Sequence, residues 1–210
     1  MKVILVNGGP HKEGSTYTAL KEIEKTLNEE KIETEIFWIG TKPISGCIAC
    51  KTCAKTGKCI FEDVVNEFVE KAKEVDGFIF GSPVHYAGPT GMITSFMDRV
   101  FYSAFQAGLG DRFLFKPAAT IVSARRAGAT DTYDQINKYF GIAQMPIISS
   151  RYWNMVYGST PEEVKKDEEG MQIMRILGRN MAYYLKCIKA GKENGIKLPK
   201  QEEKIIHSKK

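Results

Sequence analysis

Five short apolar runs alternate with stretches of helical periodicity along this chain, and that alternation admits few folds. Lys2-Val-Ile-Leu-Val-Asn7 reads as a first strand; Leu20, Ile23 and Leu27 then recur on one helical face, with Glu22, Lys25 and Asn28 on the other. Residues 33–39, 77–81, 118–123 and 146–149 read as strands two to five, and 63–74, 90–105 and 131–140 as helices between them. A last helix opens at Thr160-Pro161-Glu162-Glu163, where a capping Thr, a Pro at the first helical position and a Glu three residues past the cap coincide. It is expected to run to residue 189 and to place Cys187 in the core. Parallel strands need crossovers, and crossover helices cover both faces, so the expected fold is α/β with a doubly wound five-stranded parallel sheet. The chain has 210 residues and 43% hydrophobic content, enough for one core. The expectation is one domain over residues 1–190 and a Lys-rich tail over 191–210.

The net charge of +5 raises the question of nucleic acid, but residues 186–210 hold eight Lys against Glu193, Glu202 and Glu203, which accounts for the whole excess. No stripe of cations interleaved with aromatics appears elsewhere, so a nucleic-acid partner is not expected. No apolar stretch has the length of a membrane span, and Met1-Lys2 leads into a strand, not into a signal-peptide core. Four of five cysteines fall within residues 47–59, which in a chain this large does not suggest a secreted disulfide framework. A reducing, cytoplasmic setting is expected.

Chemistry is concentrated in the turns that follow the strands. Asn7-Gly-Gly-Pro-His-Lys-Glu-Gly-Ser-Thr16 leads from the first strand into a helix, so backbone N–H groups and the helix dipole converge on a phosphate-binding turn. A triphosphate does not suit it, because Ser15 stands where a Lys would reach the β- and γ-phosphates. Nor does a dinucleotide, because Gly8-Gly9 lacks the Gly-x-Gly-x-x-Gly spacing. One terminal phosphate, held by hydroxyls and amides, remains; the alternative is that Ser15 or Thr16 only caps the helix. After strand three, Gly81-Ser-Pro-Val-His-Tyr86 offers Pro83, Val84 and Tyr86 as apolar or flat surface for a planar ring, with His85 in the same loop. After strand four, Ser123-Ala-Arg-Arg-Ala-Gly128 presents Arg125 and Arg126. Arg125 is the candidate to stabilise negative charge at a reduced flavin ring, and either Arg could instead meet a nicotinamide phosphate or only a surface carboxylate.

Cys47-x2-Cys50-x2-Cys53-x5-Cys59 supplies four thiols in one short loop, flanked or interrupted by Gly46 and Gly57. That set suits a [4Fe–4S] cluster or a tetrahedral zinc ion, and equally a group of free or redox-active thiols.

Taken together, the first loop, Gly46-Cys-Ile-Ala-Cys-Lys-Thr-Cys, Gly81-Ser-Pro-Val-His-Tyr86 and Ser123-Ala-Arg-Arg-Ala-Gly128 resemble the flavodoxin-fold NAD(P)H-dependent FMN reductases, and within them the branch that includes iron-sulfur flavoproteins. The resemblance spans the whole chain. It implies a flavodoxin-like strand order 2-1-3-4-5, with the ligand outside the carboxyl ends of the strands. It implies FMN held at its phosphate by Pro10, His11, Gly14, Ser15 and Thr16, with Pro83, Val84, His85 and Tyr86 along the ring. Ser123, Ala124, Arg125, Arg126 and Gly128 would lie on the other edge. Gly9-Pro10-His11 departs from the Ser-Pro-Arg common in the family, which leaves His11 and Lys12 as the nearby sources of positive charge. The implied activity is hydride transfer from NAD(P)H through FMN to a flavin, quinone or similar acceptor, with no catalytic residue demanded of the protein. The alternative is an iron-sulfur electron carrier with ferredoxin as partner. Ser149-Ser-Arg-Tyr-Trp-Asn154 is expected either to close the pocket or to place Trp153 in the core. Met92, Ile93, Phe96, Met97, Val100 and Phe101 give helix 90–105 more apolar surface than one sheet face requires, which predicts a homodimer or homotetramer.

Overall fold

The structure, a computed structural model, describes residues 1–202. A five-stranded parallel sheet in the order β2-β1-β3-β4-β5 forms its centre. The strands are β1 (Lys2–Asn7), β2 (Glu33–Trp38), β3 (Gly77–Pro83), β4 (Ala118–Ala124) and β5 (Met155–Tyr157). The helices are α1 (Ser15–Glu29), α2 (Thr52–Thr56), α3 (Val64–Lys71), α4 (Gly91–Gln106), α5 (Ala129–Ile142), α6 (Pro161–Lys166) and α7 (Glu168–Glu193). This is the expected doubly wound fold in the expected order. No helix among the described residues is long and apolar enough to cross a membrane.

Alternation along each strand divides the core in two. Ile4, Val6, Phe78 and Phe80 face α3, α4 and α5, while Val3, Leu5, Ile79, Ala119 and Ile121 face α1 and α7. The first face is unusually aromatic: Phe68 meets Phe96 at 5.1 Å between ring centroids, Phe78 meets Phe113 at 5.3 Å and Phe80 meets Phe140 at 5.4 Å. Each such ring contributes about 1.5–3 kcal/mol on leaving water, so this layer fixes where α4 lies. Ile93, Phe96, Met97, Val100 and Phe101 are all within that layer, and Met92 packs against it. The apolar surface on which the oligomer expectation rested is therefore covered by the chain itself.

Three expectations are corrected. Residues 146–149 are not β5: Ile147 makes only an isolated bridge to Ala118, and the chain leaves the sheet before returning as Met155–Tyr157. Asn154 makes this detour tolerable, because its amide donates to Thr120 O at 3.1 Å and Ile148 O at 3.4 Å where ladder bonds are missing. The last helix starts where expected, with Thr160 accepting from Glu163 N. It breaks, however, at Asp167, whose carboxylate caps α7 through Gly170 N at 2.9 Å and takes Tyr157 N at 2.6 Å. Cys187 lies on the exposed face of α7, not in the core. α7 runs on to Glu193, beyond the expected helix end at residue 189, and residues 194–202 carry no regular structure. The rest of the Lys-rich tail, with His207, lies outside the described residues.

Candidate functional site

The turn after β1 is fixed from behind by a set of bonds that leave its front free. Buried Asn7 donates its amide to His11 O and Lys12 O, at 3.3 and 3.1 Å, and accepts from Gly9 N at 3.0 Å, so one side chain sets the path of residues 7–12. Gly8 N reaches Gly81 O on β3 at 2.8 Å. Thr90, the N-cap of α4, donates to Gly8 O at 3.1 Å, and Trp38 at the end of β2 donates its indole N–H to Gly9 O at 2.9 Å. The carbonyls of the turn are thus engaged. The N-terminus of α1 is not: its N-cap is Gly14, no side chain caps it, and its first turn carries no acidic residue. Ser15 and Thr16 are therefore not caps, and the first N–H groups of α1 face the end of the turn, the arrangement that suits an anion.

These groups line a cavity of about 300 Å³ together with Gly9, Pro10 and His11, with Pro83, Val84 and His85 from the loop after β3, and with Ser123 and Arg125 from the end of β4. That volume is at the small end of ligand pockets. Three separate loops thus converge at the carboxyl ends of β1, β3 and β4. Thr16 is buried and its hydroxyl lies against that of Ser123, so of the two first-loop hydroxyls Ser15 is the one left unengaged by the protein.

Four of the expected ring-edge residues take other positions. His85 and Gly88 exchange backbone bonds of 2.8 and 3.0 Å, which throws Tyr86 to the tip of a tight turn at φ +49°, fully exposed and away from the cavity wall. Arg126 is exposed outside the lining, and Ala124 is buried within β4. Gly128, at φ +88°, supports the wall from behind; a Cβ there would fall 2.7 Å from Ala87 Cα and 3.0 Å from Val84 Cγ1. Trp153 is half exposed and stands edge-on to Tyr152 at 4.7 Å, so it neither closes the cavity nor enters the core. Gly158 and Ser159 line the cavity from the loop after β5 and were missed. The signal was available: Ser159 directly precedes the Thr160-Pro161 helix start, and Glu163 holds it by accepting from Ser159 N at 2.6 Å. Placing β5 too early hid it.

The cysteine loop packs against α4 some distance along that helix. Cys47, Cys50, Cys53 and Cys59 all border one small cavity of about 20 Å³, shared with Ile48, Ile60, Phe61 and Arg99. Cys53 is buried on α2, Cys59 is half-buried, and Cys47 and Cys50 are exposed. Burial pushes the Cys53 thiol up, whereas hydrogen bonds from Thr52 pull Cys50 down. Asn66 on α3 clamps Cys59, accepting from its N–H at 2.9 Å and donating to its carbonyl at 3.0 Å. Among the described residues, no three His, Cys, Asp or Glu side chains are gathered closely enough to hold a metal as they stand. The donor set nonetheless fits an iron-sulfur centre in kind: four cysteines of one loop border one cavity, Ile48, Ile60 and Phe61 share its lining, and a cation stands beside one sulfur. The cavity has room for about one water molecule. Accommodating a cluster requires the loop to open, and Gly46 and Gly57 flank its first three cysteines with open space around both.

The sequence pattern of the NADPH-dependent FMN reductases matches residues 1–160. The chain belongs to that family. Members of this FMN reductase family are flavin-dependent oxidoreductases, and this chain is an FMN-binding oxidoreductase of that kind. A curated iron-sulfur flavoprotein of Methanocaldococcus jannaschii is 34% identical over 194 residues, covering 90% of this chain and all of that protein. A second, from Archaeoglobus fulgidus, is 29% identical over 184 residues, covering 82% of this chain and 91% of that one. Among solved structures, RosB with a bound 8-demethyl-8-formylriboflavin-5′-phosphate intermediate shares the fold with a TM-score of 0.66 at 13% identity, covering 100% of this chain and 94% of that one.

Proposed function

We propose that this FMN reductase relative transfers electrons between a flavin site at the β1, β3 and β4 loops and an iron-sulfur centre carried by Cys47, Cys50, Cys53 and Cys59. The observation that carries the reading is the convergence of all four cysteines of one loop on one cavity beside a buried cation. That the curated relatives bear the name iron-sulfur flavoprotein supports it. FMN supplies the ability to handle electrons singly or as a hydride pair, and the residues of this chain bind and orient it. The N–H groups at the start of α1 and the Ser15 hydroxyl would take its phosphate, and Pro83, Val84 and His85 would bound the ring. Arg125 would set positive charge at the cavity rim. Anaerobic reconstitution followed by iron and sulfide analysis tests the reading. About four of each per chain is expected, and neither should appear in a Cys50→Ser variant that keeps its FMN. Wild-type protein that binds FMN but no iron would refute it.

A second reading, hydride delivery from NAD(P)H to the same flavin, is favoured by one observation. The cavity lining carries exposed His11 and Arg125, side chains suited to a dinucleotide's phosphate. Rapid bleaching of the flavin absorbance by NADPH, slowed by Arg125→Ala and with KM raised more than kcat is lowered, is the expected result.

A further inference from the structure

Arg99 is the largest of the fully buried side chains, with 1% of its surface exposed, in the middle of a helix whose other inward residues, Ser103 apart, are apolar. Its guanidinium is completely engaged. Two nitrogens hold the Asp63 carboxylate at 2.6 and 2.9 Å, the fork-to-fork geometry of a strong ion pair. The same two nitrogens make longer contacts to Ser45 O and Phe61 O, and the group lies 4.8 Å from the Phe61 ring centre. The remaining donor, Nε–H, points away from Asp63 and is directed at Cys59 Sγ, 3.3 Å distant.

A loop can be pinned without a buried ion pair, since replacing such pairs by apolar side chains of similar size is often neutral or stabilising. What an apolar side chain cannot supply is a charged N–H aimed at sulfur. Hydrogen bonds to cluster sulfurs, net charge and solvent exposure are the levers by which a protein sets a cluster's potential. Arg99 controls all three at Cys59: it donates the bond, it carries the charge, and its bulk helps keep that side of the cavity dry. Asp63 fixes the fork so that Nε–H has one direction open to it.

We infer that Arg99 is a positioning residue for the cysteine site, raising the potential of a centre bound through Cys59 by stabilising its more electron-rich state. This rests on the iron-sulfur reading above. An added electron increases negative charge on the sulfurs, so a fixed N–H donor binds the reduced form more strongly than the oxidised form. No atom is transferred; the electron comes from whichever reductant is bound at the flavin site.

The test is a potentiometric titration of the reconstituted protein, followed by electron paramagnetic resonance, for wild type, Arg99→Lys and Arg99→Gln. Arg99→Gln should be reduced at least tenfold less readily, which for one electron is a midpoint 59 mV or more lower. Arg99→Lys keeps a charge near Asp63 but loses the fork, and should fall between. If Arg99→Gln does not retain iron, the lysine variant alone decides: a midpoint below that of wild type supports the inference. Variants that hold wild-type amounts of iron and FMN with an unchanged midpoint would overturn it while leaving the iron-sulfur reading intact. Wild-type protein without iron would overturn both, and the iron assay identifies that case before any potential is measured.

Discussion

Thr16 Oγ1 and Ser123 Oγ lie 2.8 Å apart, joining the first turn of α1 to the end of β4 beside the cavity at the carboxyl ends of β1, β3 and β4. Both hydroxyls are buried. Removing one leaves the other unsatisfied, which costs about 1–3 kcal/mol, whereas removing both is closer to neutral. Thr16→Val alone should therefore lower the denaturation midpoint clearly, and Thr16→Val with Ser123→Ala should recover much of the loss. An additive pair of effects in that double-mutant cycle would show that the two hydroxyls do not depend on each other.

Ser15 is the neighbour whose hydroxyl remains free for a ligand. If it binds the FMN phosphate, the bond is charge-assisted and contributes about 1.5–3 kcal/mol, so Ser15→Ala should weaken FMN binding roughly tenfold or more. Fluorescence titration of the apoprotein measures this directly. Stability without FMN should be unchanged, and equal affinity in the variant would remove Ser15 from the site.

Gly128→Ala tests the support behind the second loop. An L side chain at φ +88° is strained, and its Cβ would meet the Ala87 backbone at 2.7 Å. The expected loss is about 2 kcal/mol of stability, together with weaker FMN binding as Val84 is displaced. A stable variant with full FMN affinity would mean that the wall yields without consequence.

Acid sensitivity has a specific source at the β2 edge. Burial alone would raise the Glu35 pKa, but bonds from Lys71 at 2.8 Å and Lys2 at 2.9 Å outweigh it and hold the carboxyl below the ordinary range. A depressed carboxyl pKa stabilises the fold above the unfolded value of about 4.3, and the contribution disappears as pH falls through the folded value. Glu35→Gln should thus lower stability by roughly 0.5–1 kcal/mol at pH 7. The gap from wild type should close below about pH 4. Thermal melts at both pH values give the comparison, and a gap that persists in acid would place the effect elsewhere.

The sheet was legible because β1, β3 and β4 are covered on both faces and read as nearly continuous apolar runs. β5 was not. Pro146-Ile-Ile-Ser149 has strand composition, while the true strand is three residues long and owes its place to the side chain of Asn154, a long-range contact that no local pattern announces. The turn into α1 was legible from Gly14-Ser15-Thr16 as a helix start, but which hydroxyl faces the cavity depends on Ser123, 107 residues away from Thr16. Arg99 is not marked by any motif in the sequence. Its spacing from Phe96 and Ser103 does place it on the buried stripe of α4, yet its partners come from residues 45–63, whose path no periodicity describes.

Trp38 ends β2, holds Gly9 O through its indole, and is also the last residue of regular structure before the chain sets out toward Cys47. Thr90 and Arg99 tie the same two regions from the other side, on one rigid helix and about 13 Å apart along its axis. The phosphate turn and the cysteine loop are therefore sprung from common supports. Any ligand that stiffens one lowers the entropy still to be lost when the other is filled, and reciprocity requires the same coupling free energy in both directions. FMN seated at that turn would then have an affinity that depends on the state of the cysteines.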